Sequence, residues 1–86
     1  MKERTVVLVS KHGLHARPAA ELVRLAGKFR SDITLTKDDV TVDAKSIMGV
    51  MMLAAECGSE IVVTVEGPDE DESIEAIAEY LETESE

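Results

Sequence analysis

An α+β fold, with one four-stranded antiparallel sheet and three helices on a single face, follows from three features of this 86-residue sequence. Four short segments carry β-branched residues and alternate apolar with polar positions, the period of a strand with one face in a core. Two longer segments repeat apolar residues at helical spacing, and a shorter apolar run lies between them. Their order, βαββαβα, describes an open-faced β-sandwich, with the long first and third helices supplying most of the cover.

Thr5 to Val9 is apolar and β-branched and is expected to be the first strand. The first helix is expected from Ala16 to Phe29, with Ala19, Leu22, Val23, Ala26 and Phe29 on its apolar face and Gly27 weakening its last turn. Ile33 to Thr36 and Val40 to Asp43 alternate, and Lys37, Asp38 and Asp39 turn between them. A short helix starts after Ser46, and Gly58 is a plausible stop. Ile61, Val63 and Val65 mark the inward face of the last strand, which Gly67 and Pro68 end. Ile74, Ile77, Ala78 and Leu81 line one face of the final helix, with Asp69 and Glu72 spaced as a capping box.

Length is that of one domain, residues 1–86. With one Tyr, one Phe and no Trp, the core is expected to be aliphatic. Cys57 is the only cysteine, so an intramolecular disulfide is excluded; a buried, inert thiol in a reducing compartment is the expectation. No apolar run reaches the roughly 20 residues of a membrane span and no signal-peptide pattern opens the chain, which points to the cytoplasm. The net charge of −9 gives nucleic-acid binding little support. Ten of the 18 acids fall from Glu66 onward, a pattern of a solvated helix face.

The chemistry concentrates between Gly13 and Ala20. Pro18 suits the first turn of a helix and not its interior, so His15 is placed at the helix N-terminus. Unpaired N–H groups and the positive end of the dipole favour an anion there. A phosphoryl group on the His15 imidazole would meet those amides and the Arg17 guanidinium. An imidazole with an ordinary pKa of about 6.5 is largely neutral, and so nucleophilic, near pH 7. The competing reading is a plain surface histidine. Arg17 weakens it, because a cation at a positive helix end calls for a compensating anion. The residues alone leave open which ring nitrogen attacks.

The string Gly13-Leu14-His15-Ala16-Arg17-Pro18-Ala19 resembles the active-site signature of HPr, the histidine phosphocarrier of the sugar phosphotransferase system. Lys45-Ser46-Ile47-Met48-Gly49-Val50-Met51 resembles that family's regulatory-serine region, and the likeness extends over essentially the whole chain. The resemblance implies a phosphocarrier, not an enzyme. It would take a phosphoryl group from enzyme I onto Nδ1 of His15, beside Arg17, and pass it to sugar-specific IIA components. It further implies phosphorylation of Ser46 by an HPr kinase/phosphorylase, and contact with a catabolite-control transcription factor. An alternative is a relative acting mainly in regulation, as a nitrogen-type relay or a corepressor. No cofactor is implied.

Ser46 also reads simply as the N-cap of the short helix. That helix carries more apolar residues than one face can bury; Val50 and Leu53 suit the core, and Ile47 is ambiguous. Met48 and Met51, with Ile47 at their edge, are expected to form an exposed patch with Ala16, Ala20, Arg17, Arg24 and Lys45, a docking face for several partners. The sequence departs from the family at His12, where a small polar residue is usual, at Met52, where Ser or Thr is common, and at Gly27. His12 and His15 are three residues apart, yet no third ligand is evident, so no metal site is expected. A shuttle that presents one face to its partners is expected to be a monomer.

Overall fold

The structure, a computed structural model, describes residues 1–84. Its elements are β1 (Lys2–Val7), α1 (Ala16–Ala26), β2 (Asp32–Lys37), β3 (Val40–Asp43), α2 (Ile47–Met52), β4 (Glu60–Glu66) and α3 (Glu70–Glu79), followed by a π-helical turn, Tyr80–Glu84. The strands form one antiparallel sheet in the order β1-β4-β2-β3, and the three helices cover one face, as the patterning predicts. Val6 of β1 faces Ile61 of β4, and Leu35 of β2 faces Val63, so inward residues line up across the sheet. With Leu22, Ile77 and Leu81 from the helical side they are almost wholly buried, each worth about 1.5–3 kcal/mol. The expected core residues of the last helix, Ile74, Ile77, Ala78 and Leu81, are all buried.

α3 lies over β1 and β4, α2 lies against β3, and α1 packs between the two helices. The loop that follows α2 meets the residues just before α1, where Leu14 N–H donates to the Ala55 carbonyl.

Several boundaries differ from the sequence expectation, each for a local reason. β1 begins at Lys2 and ends at Val7: Lys2 and Arg4 pair with Asp71 and Glu75 of α3, both at 2.9 Å, so charged positions extend the strand. α1 ends at Ala26, and the chain continues to Phe29 in tighter turns, with Lys28 N–H on Leu25 C=O and Phe29 N–H on Ala26 C=O. α2 stops at Met52, well before Gly58, because Ala54 takes a left-handed conformation at φ 52°. Cys57 is exposed, not buried. It lies in the turn closed by Ser59 N–H on Glu56 C=O, which directs the side chain outward, with Sγ 3.8 Å from the Val9 carbonyl oxygen.

The expected capping box at α3 does not form. Asp69 makes no side-chain cap; its carboxylate instead accepts from Arg30 N–H and Ser31 N–H, both at 2.9 Å, and from the Ser31 hydroxyl. Gly67 permits this latch: at φ +153° it presses so closely on Ser31 that a Cβ would lie 2.5 Å from the Ser31 Cα. The Ser31 hydroxyl and the Arg30 amide hold the Asp69 carboxyl below its ordinary value of 3.8. A lowered carboxyl pKa adds stability above the unfolded value and loses it as pH falls toward the folded one. The stability gap between the protein and Asp69→Asn, from urea unfolding, should therefore be full at pH 7 and shrink as pH drops below 3.8. A gap independent of pH contradicts this.

Candidate functional site

His15 is the N-cap of α1, with extended backbone at φ −79° and ψ −172°. Its carbonyl accepts the first helical bond, from Ala19 N–H at 2.9 Å, while its side chain makes no cap and is half-buried. Neither Ala16 nor Arg17 donates its amide to an acceptor among the described residues, and Pro18 has no N–H. Two free amides and the dipole of an eleven-residue helix thus converge beside an uncommitted imidazole. Arg17 is exposed and forms no ion pair among the described residues.

The loop before the helix is held by backbone. Gly13, at φ +73°, sits against the carbonyl of Ala55, where a Cβ would stand 2.2 Å from the oxygen. Leu14 N–H donates to that same carbonyl at 3.0 Å, and the Leu14 side chain is buried. Gly13 N–H donates to the Ser10 carbonyl, and the buried Ser10 hydroxyl returns a bond to the Gly13 carbonyl at 2.8 Å. Behind the first turn, the Tyr80 hydroxyl donates to Glu21 at 2.7 Å and lies 3.3 Å from the Pro18 carbonyl. His12 is exposed beside His15, ring centroids 6.0 Å apart and planes at 72°. No group of three or more His, Cys, Asp or Glu among the described residues is arranged to hold a metal.

Ser46 caps α2: its hydroxyl accepts from Gly49 N–H at 3.1 Å. α2 rests beside α1 and sends Val50 and, at its end, Leu53 into the core. The opposite side is left outside: Ile47 is 41% exposed, Met48 69%, Met51 43% and Met52 72%. Ala16 is exposed and Ala20 half-buried. Arg24 and Lys45 lie apart from this centre. Arg24 is in the last turn of α1, about 13 Å along the axis from His15. The Lys45 ammonium donates to the Phe29 carbonyl at 2.9 Å, tying it to the far end of the helix.

Sequence reasoning missed the Ser10–Gly13–Ala55 clamp, which carries no local signature, and did not name Met52 among the patch residues, although it read Met52 as making the patch more apolar. The run of four apolar residues from Val50 to Leu53, longer than one helical face, was the available signal for Met52.

A family model described as the PTS HPr component phosphorylation site matches residues 2–83. The chain is 52% identical over 77 residues to a phosphocarrier protein HPr of Treponema pallidum, covering 90% of this chain and 88% of that protein. A crystal structure of a phosphocarrier protein HPr from Bacillus anthracis superimposes with a TM-score of 0.91 at 48% identity, covering 94% of this chain and 96% of that one. The Bacillus subtilis catabolite repression protein Crh, crystallised as a domain-swapped dimer, matches with a TM-score of 0.77 at 46% identity, over 94% and 93% of the two chains.

Gly13→Ala should cost about 2 kcal/mol or more in urea unfolding, since it adds left-handed strain to a backbone clash. An unchanged midpoint would show that the clamp is dispensable.

Proposed function

Since the chain belongs to the HPr family of phosphocarrier proteins, we propose that His15 is its phosphoryl acceptor and that the protein relays the group from enzyme I to sugar-specific IIA components. The observation that carries this reading is the half-buried His15 imidazole, unbonded and next to two free helix amides, within a chain that matches the family from residue 2 to residue 83. In the forward step the Nδ1 lone pair attacks phosphorus, and the bond from phosphorus to the donor breaks as the new N–P bond forms. The negative oxygens are met by the Ala16 and Arg17 amides and by the Arg17 guanidinium, which forms no ion pair among the described residues. The onward step reverses these events on the acceptor. One nucleophile and one arginine make a relay and not a complete catalyst.

The docking face in this reading consists of His12, Ala16, Arg17, Ala20, Ile47, Met48 and Met51, with Met52 added by its exposure. Unbranched thioethers repack against differently shaped partners, which suits a carrier that meets several in turn. Arg24 extends the face along α1, and Lys45 marks its far boundary. A phosphate placed on Ser46 by an HPr kinase/phosphorylase would lie at the start of α2 and oppose acidic partners by charge, with little change in the fold. No helix among the described residues is long and apolar enough to cross a membrane, in keeping with a carrier that works in the cytoplasm.

Likeness to Crh favours a second reading, in which the chain acts chiefly as a regulator, through a catabolite-control transcription factor or a nitrogen-type relay. The same likeness weighs against assuming a monomer, since that relative is a swapped dimer.

With phosphoenolpyruvate and catalytic enzyme I, the protein should gain one acid-labile phosphoryl group by intact mass, and a folded His15→Ala variant none. Gain by both, or by neither, overturns the relay. Met48→Glu should slow transfer from enzyme I about tenfold or more while leaving the melting temperature unchanged, because the residue lies outside the core. An unaltered rate removes Met48 from the docking face.

A further inference from the structure

The edge-on contact between His12 and His15 has no structural task. His12 is exposed, and its side chain makes no hydrogen bond or ion pair among the described residues. The backbone that joins it to His15 is nonetheless held, because the Gly13 turn and the Leu14–Ala55 bond between the two residues are locked against the loop that follows α2. An imidazole is the side chain whose charge changes near neutral pH, and it stands 6.0 Å from the ring expected to carry the phosphoryl group.

We propose that His12 binds a proton when His15 is phosphorylated and so couples the phosphoryl-transfer equilibrium to pH. This inference rests on His15 being the acceptor. The proton comes from water and adds to the free ring nitrogen of His12; no bond to phosphorus changes in that step. Two negative charges on a ring whose centroid is 6.0 Å away, in a water-exposed setting, favour the protonated imidazole by up to about tenfold.

The other charged or titratable groups nearby are Lys11 in the same loop, Arg17 at the helix start, and Glu56 and Cys57 in the segment packed on Gly13. Lysine, arginine and glutamate side chains hold their charge between pH 6 and 8 by type, roughly. These groups and Cys57 are common to every variant compared, so they cancel in the ratio and leave the difference to position 12. By linkage, a proton that binds the phosphorylated form more tightly favours phosphorylation in return. The gain is full below the pH at which His12 titrates in the resting protein. It disappears as pH rises through the titration of the phosphorylated form. The position thus offers a carrier that holds its phosphoryl group more firmly as the medium acidifies.

The test is the equilibrium of phosphoryl transfer from enzyme I onto the full chain, measured from about pH 6 to 8.5. It compares the protein with His12→Asn, which keeps a polar donor without a titrating charge, and with His12→Lys, which carries a permanent one. The ratio of the protein's equilibrium constant to that of His12→Asn should rise about tenfold from the alkaline to the acid end. His12→Lys should match the protein at low pH and exceed it at high pH. The His12 ring proton, followed by NMR, should titrate at higher pH once His15 is phosphorylated. A flat ratio, or a His12 titration unmoved by phosphorylation, overturns the proposal. A protein that takes up no acid-labile group overturns this inference and the His15 relay together, whereas phosphorylation with a flat ratio overturns the inference alone.

Discussion

The Ala55 carbonyl governs the geometry of the site. It accepts the Leu14 amide at 3.0 Å, and the same oxygen faces Gly13 so closely that no side chain fits between. This one peptide group aligns the start of α1 with the chain leaving α2. His15 is thereby set at the helix N-cap, with its ring half-exposed and its carbonyl spent on the first helical bond. The Ala16 and Arg17 amides then have no acceptor among the described residues, and Pro18 closes the first turn without needing one. A helix N-terminus held open by its own sequence is an anion site that needs no reorganisation when a charge arrives.

The same clamp connects the start of α1 to the chain leaving α2. α2 is only six residues long and gives one residue, Val50, to the core, with Leu53 following at its end. Too short to cover the sheet, it leaves Ile47, Met48, Met51 and Met52 outside, on a helix that packs beside α1. An apolar patch next to a charged centre suits brief, repeated docking: the patch supplies contact area and the cations supply orientation. At the opposite end, Asp69 and Gly67 fasten α3 to the loop after α1, so both ends of the long helix are anchored by backbone contacts.

Legibility followed the range of the interactions. Strand alternation and helical spacing are local, and they placed all seven elements and the buried faces of β2, β4 and α3. Pro18 is equally local, and it placed His15 at the N-cap. The Ser46 cap was legible for the same reason. The Asp69 and Gly13 failures depend on contacts distant in sequence, and Cys57 on a local turn. Asp69 and Glu72 have capping-box spacing, yet Asp69 turns to Ser31, 38 residues away. Cys57 reads as a small buried apolar residue until the turn after α2 directs it outward. The Gly13 clamp was invisible because nothing near Gly13 names Ala55 as its neighbour. Families of this kind are recognised from short strings, while the geometry that makes the strings work lies in the contacts between them.

The central claim is that the free amides of Ala16 and Arg17 receive the phosphoryl oxygens. The most direct measurement is a pair of ¹H–¹⁵N correlation spectra, before and after phosphorylation by enzyme I. The account predicts large downfield shifts of the Ala16 and Arg17 amide protons, with the Val63 and Leu35 amides of the sheet unmoved. Phosphorylation at His15 with the Ala16 and Arg17 amides unshifted would contradict it, and would assign the stabilisation to side chains alone.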